Sequence, residues 1–343
     1  MSIWETIIFS LIKILIIVHV MLITVSYLVY FERKISAWAQ NRLGPNRVGW
    51  KGLLQPFADV LKLLLKEDIV PNQANKPIHT LAPLLALFVA FTTYAVIPFG
   101  PDLKIFGYTI PLVVADINVG ILYVLALTSL GVYAITFAGW SSGSKYSLLG
   151  GIRSSAQMIS YEISMGFSIG GVLLLSQSLR PEAIVASQSG WMWNAILQPI
   201  GFITFLVSAF AETNRLPFDL PEAEPELVGG FHTEYSSMKF AGFFLAEYAN
   251  MIIASALIVT LYLGGWQFPY LETFGLPYGW YVAISVLTFL FKEALLLFFF
   301  IWVRWSLPRF RYDQLMNLGW KVMFPLSLLN IVWVAGLIMI FKI

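Results

Sequence analysis

The stretch IIFSLIKILIIVHVMLITVSYLVYF (Ile7–Phe31) decides the fold class of this chain. It contains a single charged residue, Lys13, and it exceeds the roughly 20 apolar residues that a transmembrane helix needs. It is too long for the apolar region of a secretory signal, and no basic segment or A-x-A site accompanies it. We therefore expect a membrane-spanning helix and no cleavable leader.

The composition extends this expectation to the whole chain. Hydrophobic residues make up 58% of the 343 residues and charged residues only 12%, whereas soluble proteins carry about 25% charged residues. The sequence predicts an all-α integral membrane protein, a single polytopic domain over residues 1–343. Scanning for apolar runs predicts about eight transmembrane helices, at about 7–31, 81–99, 116–138, 153–176, 194–213, 238–263, 278–303 and 322–341.

The distribution of basic residues predicts the orientation. Sixteen of the 21 Lys and Arg residues fall in the connections between helices 1 and 2, 3 and 4, 5 and 6, and 7 and 8. Since basic connections stay on the cytoplasmic side, both termini are expected on the non-cytoplasmic side.

Part of the first connection is predicted to lie along the membrane surface. In residues 52–66 apolar side chains recur at helical spacing, and Gln55, Asp59, Lys62 and Lys66 form the opposite face. The segment is too short to span a bilayer, and its two faces suit an interfacial amphipathic helix.

Several chemistries are excluded. The chain has no cysteine, which rules out disulfides, thiolate metal sites and cysteine-ligated iron–sulfur clusters. No dinucleotide fingerprint, Walker loop or H-E-x-x-H motif occurs. His19, His79 and His232 lack metal-ligand spacing and are interpreted as structural.

Six charged side chains fall within the predicted spans, although a charge at the bilayer centre costs about 2.5–3.5 kcal/mol. They are Asp116, Glu162, Glu212, Glu247, Lys292 and Glu293. One interpretation is structural pairing between helices, for example of Lys292 with a glutamate. The other is a buried, titratable chain of acids that carries protons, because burial and neighbouring charges can bring carboxyl groups into the neutral pH range.

The connection over about 214–237 is acidic, on the side of the membrane that is basic elsewhere. Pro217, Pro221 and Pro225 forbid a regular helix there, and in an extended chain Glu222, Glu224 and Glu226 would point the same way. We interpret this loop as functional. These features alone would also fit a stand-alone secondary transporter, although the inverted repeats expected of one are not evident.

Three stretches narrow the choice. They are ERKISAWAQNRLGPNRVGWKGLLQPFADVLKLLLKE (Glu32–Glu67), AETNRLPFDLPEAEPELVGGFHTEYSSMKFAGFFLAEYANM (Ala211–Met251) and WVRWSLPRFRYDQLMNLGWK (Trp302–Lys321). All three resemble one family of membrane subunits of NADH–quinone oxidoreductase, respiratory complex I. The members of this family abut the quinone chamber. The patch Q-x-I-S-Y-E (Gln157–Glu162) matches too, and departures are confined to the connections around 100–115, 177–193 and 264–277. A homologous subunit of a hydrogenase-type or ferredoxin-linked complex is the alternative within this superfamily.

The resemblance implies a subunit with no redox centre or bound cofactor of its own. Quinone would be the substrate, and the FMN and iron–sulfur clusters would lie on partner subunits. The partners would be the soluble quinone-site and terminal-cluster subunits, small membrane subunits and antiporter-like subunits. The location would be a bacterial inner membrane, with a mitochondrial one not excluded.

The resemblance also implies two sets of functional residues. The proton path would comprise Glu162, Glu212, Glu222, Glu224, Glu226 and Glu247. The residues that line or brace the quinone cavity would be Arg33, Arg42, Asp59, Arg215, Lys292, Arg304 and Arg309.

Overall fold

The computed structural model describes residues 3–105, 108–222 and 224–341, and these residues are predominantly helical. Within them, seven helical stretches are long and apolar enough to cross a membrane, which confirms an all-α membrane protein. The stretches are α1 (Ile3–Ala39), α3 (Lys76–Tyr94), α4 (Gly120–Ser141), α5 (Lys145–Ser176), α10 (Ser237–Tyr262), α11 (Tyr278–Ser306), and the run formed by α12 (Tyr312–Asn317), a π-helical turn (Leu318–Met323) and α13 (Phe324–Phe341).

The region expected to hold the fifth span is broken into two helices. Over 194–213 the chain forms α7 (Asn194–Leu197) and then α8 (Pro199–Glu212). Pro199 has no backbone N–H to continue α7, but it suits the start of a new helix. The break is held by Asn330 of α13, which accepts from the Gly201 backbone N–H (2.9 Å) and donates to Gln198 (3.1 Å).

Several helices extend beyond their predicted apolar runs. α1 continues eight residues past 31, so that Glu32 and Arg33 lie on a helix. α5 starts at Lys145, eight residues before its predicted start, and α3 starts at Lys76, five residues before its predicted start. At its other end α3 is shorter than predicted and stops at Tyr94, shortly before Pro98. Hydropathy detects the apolar stretch of a helix and not its hydrogen-bonded ends, which accounts for these differences.

The connections contain short elements. α2 (Gln55–Leu65) occupies the predicted interfacial segment, with Pro56 in its first turn. Strands β1 (Leu103–Ile105) and β2 (Tyr108–Ile110) pair antiparallel, with Lys104 opposite Thr109. The remaining elements are α6 (Pro181–Ser187), α9 (Glu224–Leu227) and 3-10 turns at Trp50–Gly52, Gly230–His232 and Leu271–Phe274.

The acidic connection is compact and not extended. α9 forms a single helical turn with Pro225 at its second position, where a missing N–H has no cost. Gly230 has φ +63°, and a Cβ there would lie 1.6 Å from the Pro221 carbonyl oxygen. Only glycine permits this contact, which folds the connection back on itself.

The core lies around α10, in which every residue from Met251 to Tyr262 is buried. α1 contributes only the half nearer its C-terminus, through buried Met21, Val25 and Leu28. We call the end of the bundle where α1, α4, α8 and α11 end and α3, α5 and α10 begin the basic end, since its connections hold most of the Lys and Arg residues.

Candidate functional site

Buried and partly buried charged and polar side chains from α1, α10, α11 and the segment after α8 meet at the basic end. We call them the ionic cluster: Glu32, Arg215, Glu247, Tyr248 and Arg304. Glu32 accepts a hydrogen bond from the Tyr248 hydroxyl (2.7 Å) and pairs with Arg304. Arg215 lies between the two carboxylates, with Nε 2.7 Å from Glu247 Oε1 and Nη1 3.7 Å from Glu32 Oε2. Its guanidinium carbon is 4.2 Å from the centre of the Tyr248 ring.

The ionic cluster balances two carboxylates against two guanidinium groups. The Arg215 side chain is only 3% exposed and that of Glu32 8% exposed, so each charge needs a partner. Burial by itself would lower the pKa of Arg215, but the neighbouring carboxylates outweigh it and raise the pKa above its ordinary value. Arg215 therefore stays cationic. When the charge near it changes, the groups that can take up or release a proton in response are the carboxylates.

A cavity adjoins the ionic cluster. Its volume is about 50 Å³, and since a water molecule needs about 10–15 Å³ it has room for a few waters. Three acids line it, Glu212 from α8, Glu222 from the acidic connection and Glu247 from the ionic cluster. Amide and hydroxyl groups of Asn214, Asn250, Thr128 and Thr213 also line the cavity. Water there would have the polar partners that it requires.

Two neighbouring hydroxyls of α4 extend the row of acids. Thr128, which lines the cavity, is within hydrogen-bonding reach of Glu212. The next residue, Ser129, donates to Glu162 of α5. The structure therefore places Glu212, Glu222 and Glu247 around the cavity, and Glu162 beside it through Ser129. We call these four residues the acid series.

Two further ion pairs border the ionic cluster. Arg33 of α1 pairs with Asp59 of α2 (2.7 Å), and Gln55 also donates to Asp59 (2.9 Å). These contacts tie the polar face of α2 to α1. In the segment after α11, Arg309 pairs with the buried Asp219 of the acidic connection (2.8 Å).

Other residues of the two predicted sets lie away from the ionic cluster. Glu226 is 57% exposed and pairs with Arg153 (2.6 Å). Arg42 is exposed and donates to Gln40 (2.7 Å). The side chain of Glu224 lies outside the described part of the structure.

Lys292 is also separate. It is twelve residues before Arg304 on α11, about 18 Å along the helix at 1.5 Å per residue. Its ammonium donates to the carbonyls of Leu263 (2.7 Å), Gly265 (3.0 Å) and Gln267 (2.7 Å), just past the C-terminal end of α10. Among the side chains that the structure describes, no glutamate pairs with Lys292; its hydrogen bonds go to backbone carbonyls, unlike the pairing considered from the sequence.

Sequence reasoning missed Glu32, Asp219 and Tyr248. Arg33 stands out in a sequence as a cation at the end of a span, whereas the buried member of that pair is Glu32. A signal for it existed, because Leu28, Glu32 and Ser36 are spaced by four residues and share the buried face of α1.

Two of the three histidines occupy packed positions, and His19 is exposed. His79 is fully buried and stacks on Tyr235, with ring centres 3.9 Å apart. His232 has its Nδ1 4.0 Å from Glu222 Oε1, and burial lowers its pKa to about 4, so the ring is neutral at physiological pH. His19 Nδ1 lies 2.8 Å from the Leu15 carbonyl oxygen. Among the described residues no group of three or more His, Asp or Glu side chains could hold a metal ion.

Comparisons of sequence match this chain to known proteins over nearly its whole length. Residues 12–335 match the family described as NADH dehydrogenase. The chain is 55% identical over 329 residues to NADH-quinone oxidoreductase subunit 8 of Rhodothermus marinus, covering 93% of this chain and 94% of that protein. It is 53% identical over 337 residues to an NADH-quinone oxidoreductase subunit of Geobacter sulfurreducens, covering 95% of this chain and 93% of that protein. It is 51% identical over 320 residues to an NADH-quinone oxidoreductase subunit of Cytophaga hutchinsonii, covering 93% of this chain and 94% of that protein.

Proposed function

The chain belongs to the family of NADH-quinone oxidoreductase membrane subunits, and from that premise we propose that it walls a quinone passage and couples quinone reduction to proton translocation. It is one multi-pass subunit of a larger enzyme, so other subunits of that enzyme are its partners. We place it in a bacterial inner membrane with both termini away from the cytoplasm. The FMN and iron–sulfur clusters are assigned to partner subunits and the quinone to the ionic cluster.

The position of Glu247 carries this proposal. Its carboxylate pairs with Arg215 in the ionic cluster and also lines the cavity that Glu212 and Glu222 share. Two-electron reduction converts the quinone to an anionic form, which becomes a neutral quinol once it has taken up two protons. The negative charge of the reduced quinone would compete with the carboxylates of the ionic cluster for Arg215 and Arg304. A carboxylate that loses its cation binds a proton more readily. Glu247 is placed to take that proton from the cavity.

The quinone tail requires an apolar passage beside this polar region. The apolar side chains of α2 are exposed, among them Phe57, Val60, Leu61 and Leu64. The pair of Arg33 and Asp59 anchors the other face of the helix to α1. We therefore propose that α2 and α1 frame the mouth through which the tail enters from the lipid.

We expect Val60→Trp to slow the reduction of long-tailed quinones more than that of short-tailed ones. Val60 is 45% exposed on the apolar face of α2, so the larger ring narrows the passage without displacing a buried group. The measurement is the quinone reduction rate of each substrate in membranes of matched complex content. Equal slowing of both substrates would argue against a tail passage at α2.

Gly131→Leu tests the cavity without removing a charge. Gly131 of α4 lines the cavity, and a Cβ there has only Val89 nearby, at 3.8 Å, so a leucine side chain can enter the space and displace water. We expect quinone reduction and proton translocation to fall at least about tenfold, a smaller loss than the about 10²–10⁴-fold that a proton-transfer group itself contributes to catalysis. NADH oxidation by a hydrophilic acceptor should persist.

Gly166→Leu on α5 is the matched control, since a Cβ at Gly166 meets nothing within 4 Å and this residue does not line the cavity. It introduces the same side chain into a neighbouring helix, and we expect wild-type rates. Wild-type translocation in Gly131→Leu would count against proton transfer through this cavity.

A further inference from the structure

Gln157 of α5 makes an unusual set of contacts that neither the acid series nor the quinone passage uses. It is completely buried. Its amide Nε2 lies within hydrogen-bond distance of the Ala211 carbonyl (2.8 Å), the Phe218 carbonyl (2.8 Å) and Asn214 Oδ1 (3.2 Å). These three acceptors stand on both sides of Arg215 in the chain. A single side chain thus fastens the segment that carries the central cation of the ionic cluster.

The segment needs such a contact because it has no regular structure of its own. It follows the end of α8, and Asn214 has φ +51°, in the left-handed region. Downstream of Arg215 it is held by the Phe310 N–H, which donates to the Pro217 carbonyl (3.1 Å), and by the Phe218 ring, 5.4 Å from that of Phe310. Gln157 adds the contacts to Ala211 and Asn214 on the upstream side.

The chemistry of these contacts favours an amide at position 157. A primary amide offers two N–H donors on one nitrogen, and the three oxygens around it are all acceptors. An ionised carboxylate would repel those oxygens, and methionine, of similar length, has no donor to offer. Each of these oxygens has one further donor, the Asn214 N–H for Ala211, Ser154 for Asn214 and the Leu220 N–H for Phe218. Loss of the amide would therefore remove the Gln157 hydrogen bonds that fasten the segment to α5 on both sides of Arg215, and would leave its buried oxygens more weakly bonded.

We propose that Gln157 is a positioning residue of the enzyme, which sets the Arg215 guanidinium between Glu32 and Glu247. This inference rests on the proposed function, in which the ionic cluster responds to the negative charge of the reduced quinone.

A displaced guanidinium would change the protonation of the ionic cluster. The charged and titratable groups that face Arg215 are Glu32 of α1, Glu247 and Tyr248 of α10, and Glu222 of the acidic connection. Arg304 of α11 shares Glu32. Without a fixed cation between them, Glu32 and Glu247 would lose the opposite charge that stabilises their ionised forms.

The experiment compares Gln157→Met with Gln188→Met in membranes of matched complex content. Gln188 is an equally buried glutamine whose Nε2 donates to the Ile184 and Thr260 carbonyls at the opposite end of the bundle. For Gln157→Met we expect the quinone reduction rate to fall about tenfold or more, as small misplacements of reacting groups do. In the pH profile of quinone reduction, the pH at which the rate is half of its maximum should rise by about one unit. Gln157→Asn keeps the amide donor on a shorter side chain. We expect its quinone reduction rate and its pH profile to lie between those of the wild type and Gln157→Met.

Gln188→Met should leave the pH profile unchanged even where it lowers the amount of complex. The variant Arg215→Met and its combination with Gln157→Met complete the test. If Gln157 acts through Arg215, the double variant should be no slower than Arg215→Met alone.

Additive losses, or a Gln157→Met pH profile like that of Gln188→Met, would overturn the positioning role. A strong loss in Arg215→Met would leave the proposed function standing in that case. Wild-type quinone reduction in Arg215→Met would instead refute the function proposed for the ionic cluster itself.

Discussion

Glu247→Gln, alone or with Glu162→Gln, should nearly abolish quinone reduction and the proton translocation coupled to it. Glutamine keeps the size and the hydrogen-bonding capacity of glutamate but carries no transferable proton. Glu247 lies where the ionic cluster meets the cavity, and Glu162 is reached from the cavity through the neighbouring hydroxyls of Thr128 and Ser129. A proton series broken at either position should lose at least about 10²-fold in rate, as general acid–base sites do.

The measurement is made in membranes with matched amounts of assembled complex. NADH oxidation by a hydrophilic acceptor should continue, because that route does not use the quinone. Glu182→Gln is the matched control, since Glu182 pairs with Arg180 (2.7 Å) away from the cavity. We expect it to retain wild-type activity. Wild-type quinone reduction and translocation in the double variant would sink the proton-path assignment, and loss of the complex would indicate a structural role.

Glu32→Leu should strongly reduce the amount of assembled complex. It leaves Arg304 without its carboxylate and Arg215 with only Glu247, and an uncompensated buried charge costs about 3–5 kcal/mol. Removing the second charge as well, in Glu32→Leu with Arg304→Met, restores the balance of one cation and one anion. We expect assembly to recover substantially in this double variant, because apolar replacement of a whole buried pair is often nearly neutral.

Quinone reduction should nevertheless stay low in the double variant, since both groups proposed to sense the charge of the quinone are gone. Assembly is followed by the amount of intact complex separated from detergent-solubilised membranes. Asp116→Leu serves as the control, because it breaks the half-exposed pair with Arg180, and such pairs contribute only about 0–1 kcal/mol. Similar losses in Glu32→Leu and Asp116→Leu would show that the burial of the ionic cluster does not matter.

The sequence predicted much of the acid series. Glu162, Glu212 and Glu247 stand out because a carboxylate inside an apolar run is too costly to face lipid. The structure places these three with Glu222 around a single cavity and the hydroxyls of α4. Their roles in proton transfer stay a prediction, as do those of the residues assigned to the quinone.

The sequence did not predict which charges pair. Glu32 and Tyr248 are 216 positions apart, and Arg304 is 272 positions from Glu32, so neither contact leaves a local pattern. Lys292 lies inside the predicted seventh span and Arg304 directly after it, and no local pattern shows which group either cation contacts. The packing of α11 sends Lys292 to the carbonyls beyond α10 and Arg304 to Glu32.

By itself the sequence determined that this protein is an α-helical membrane protein and which family it resembles, because apolar run lengths and long motifs are properties of consecutive residues. Only the tertiary structure decided that the fifth apolar run is two short helices, that Glu32 and not Arg33 is buried, and that Gln157 fastens the segment around Arg215. The reason is physical: a buried polar group is stabilised only by the partner that the fold brings to it, and that partner can come from any helix.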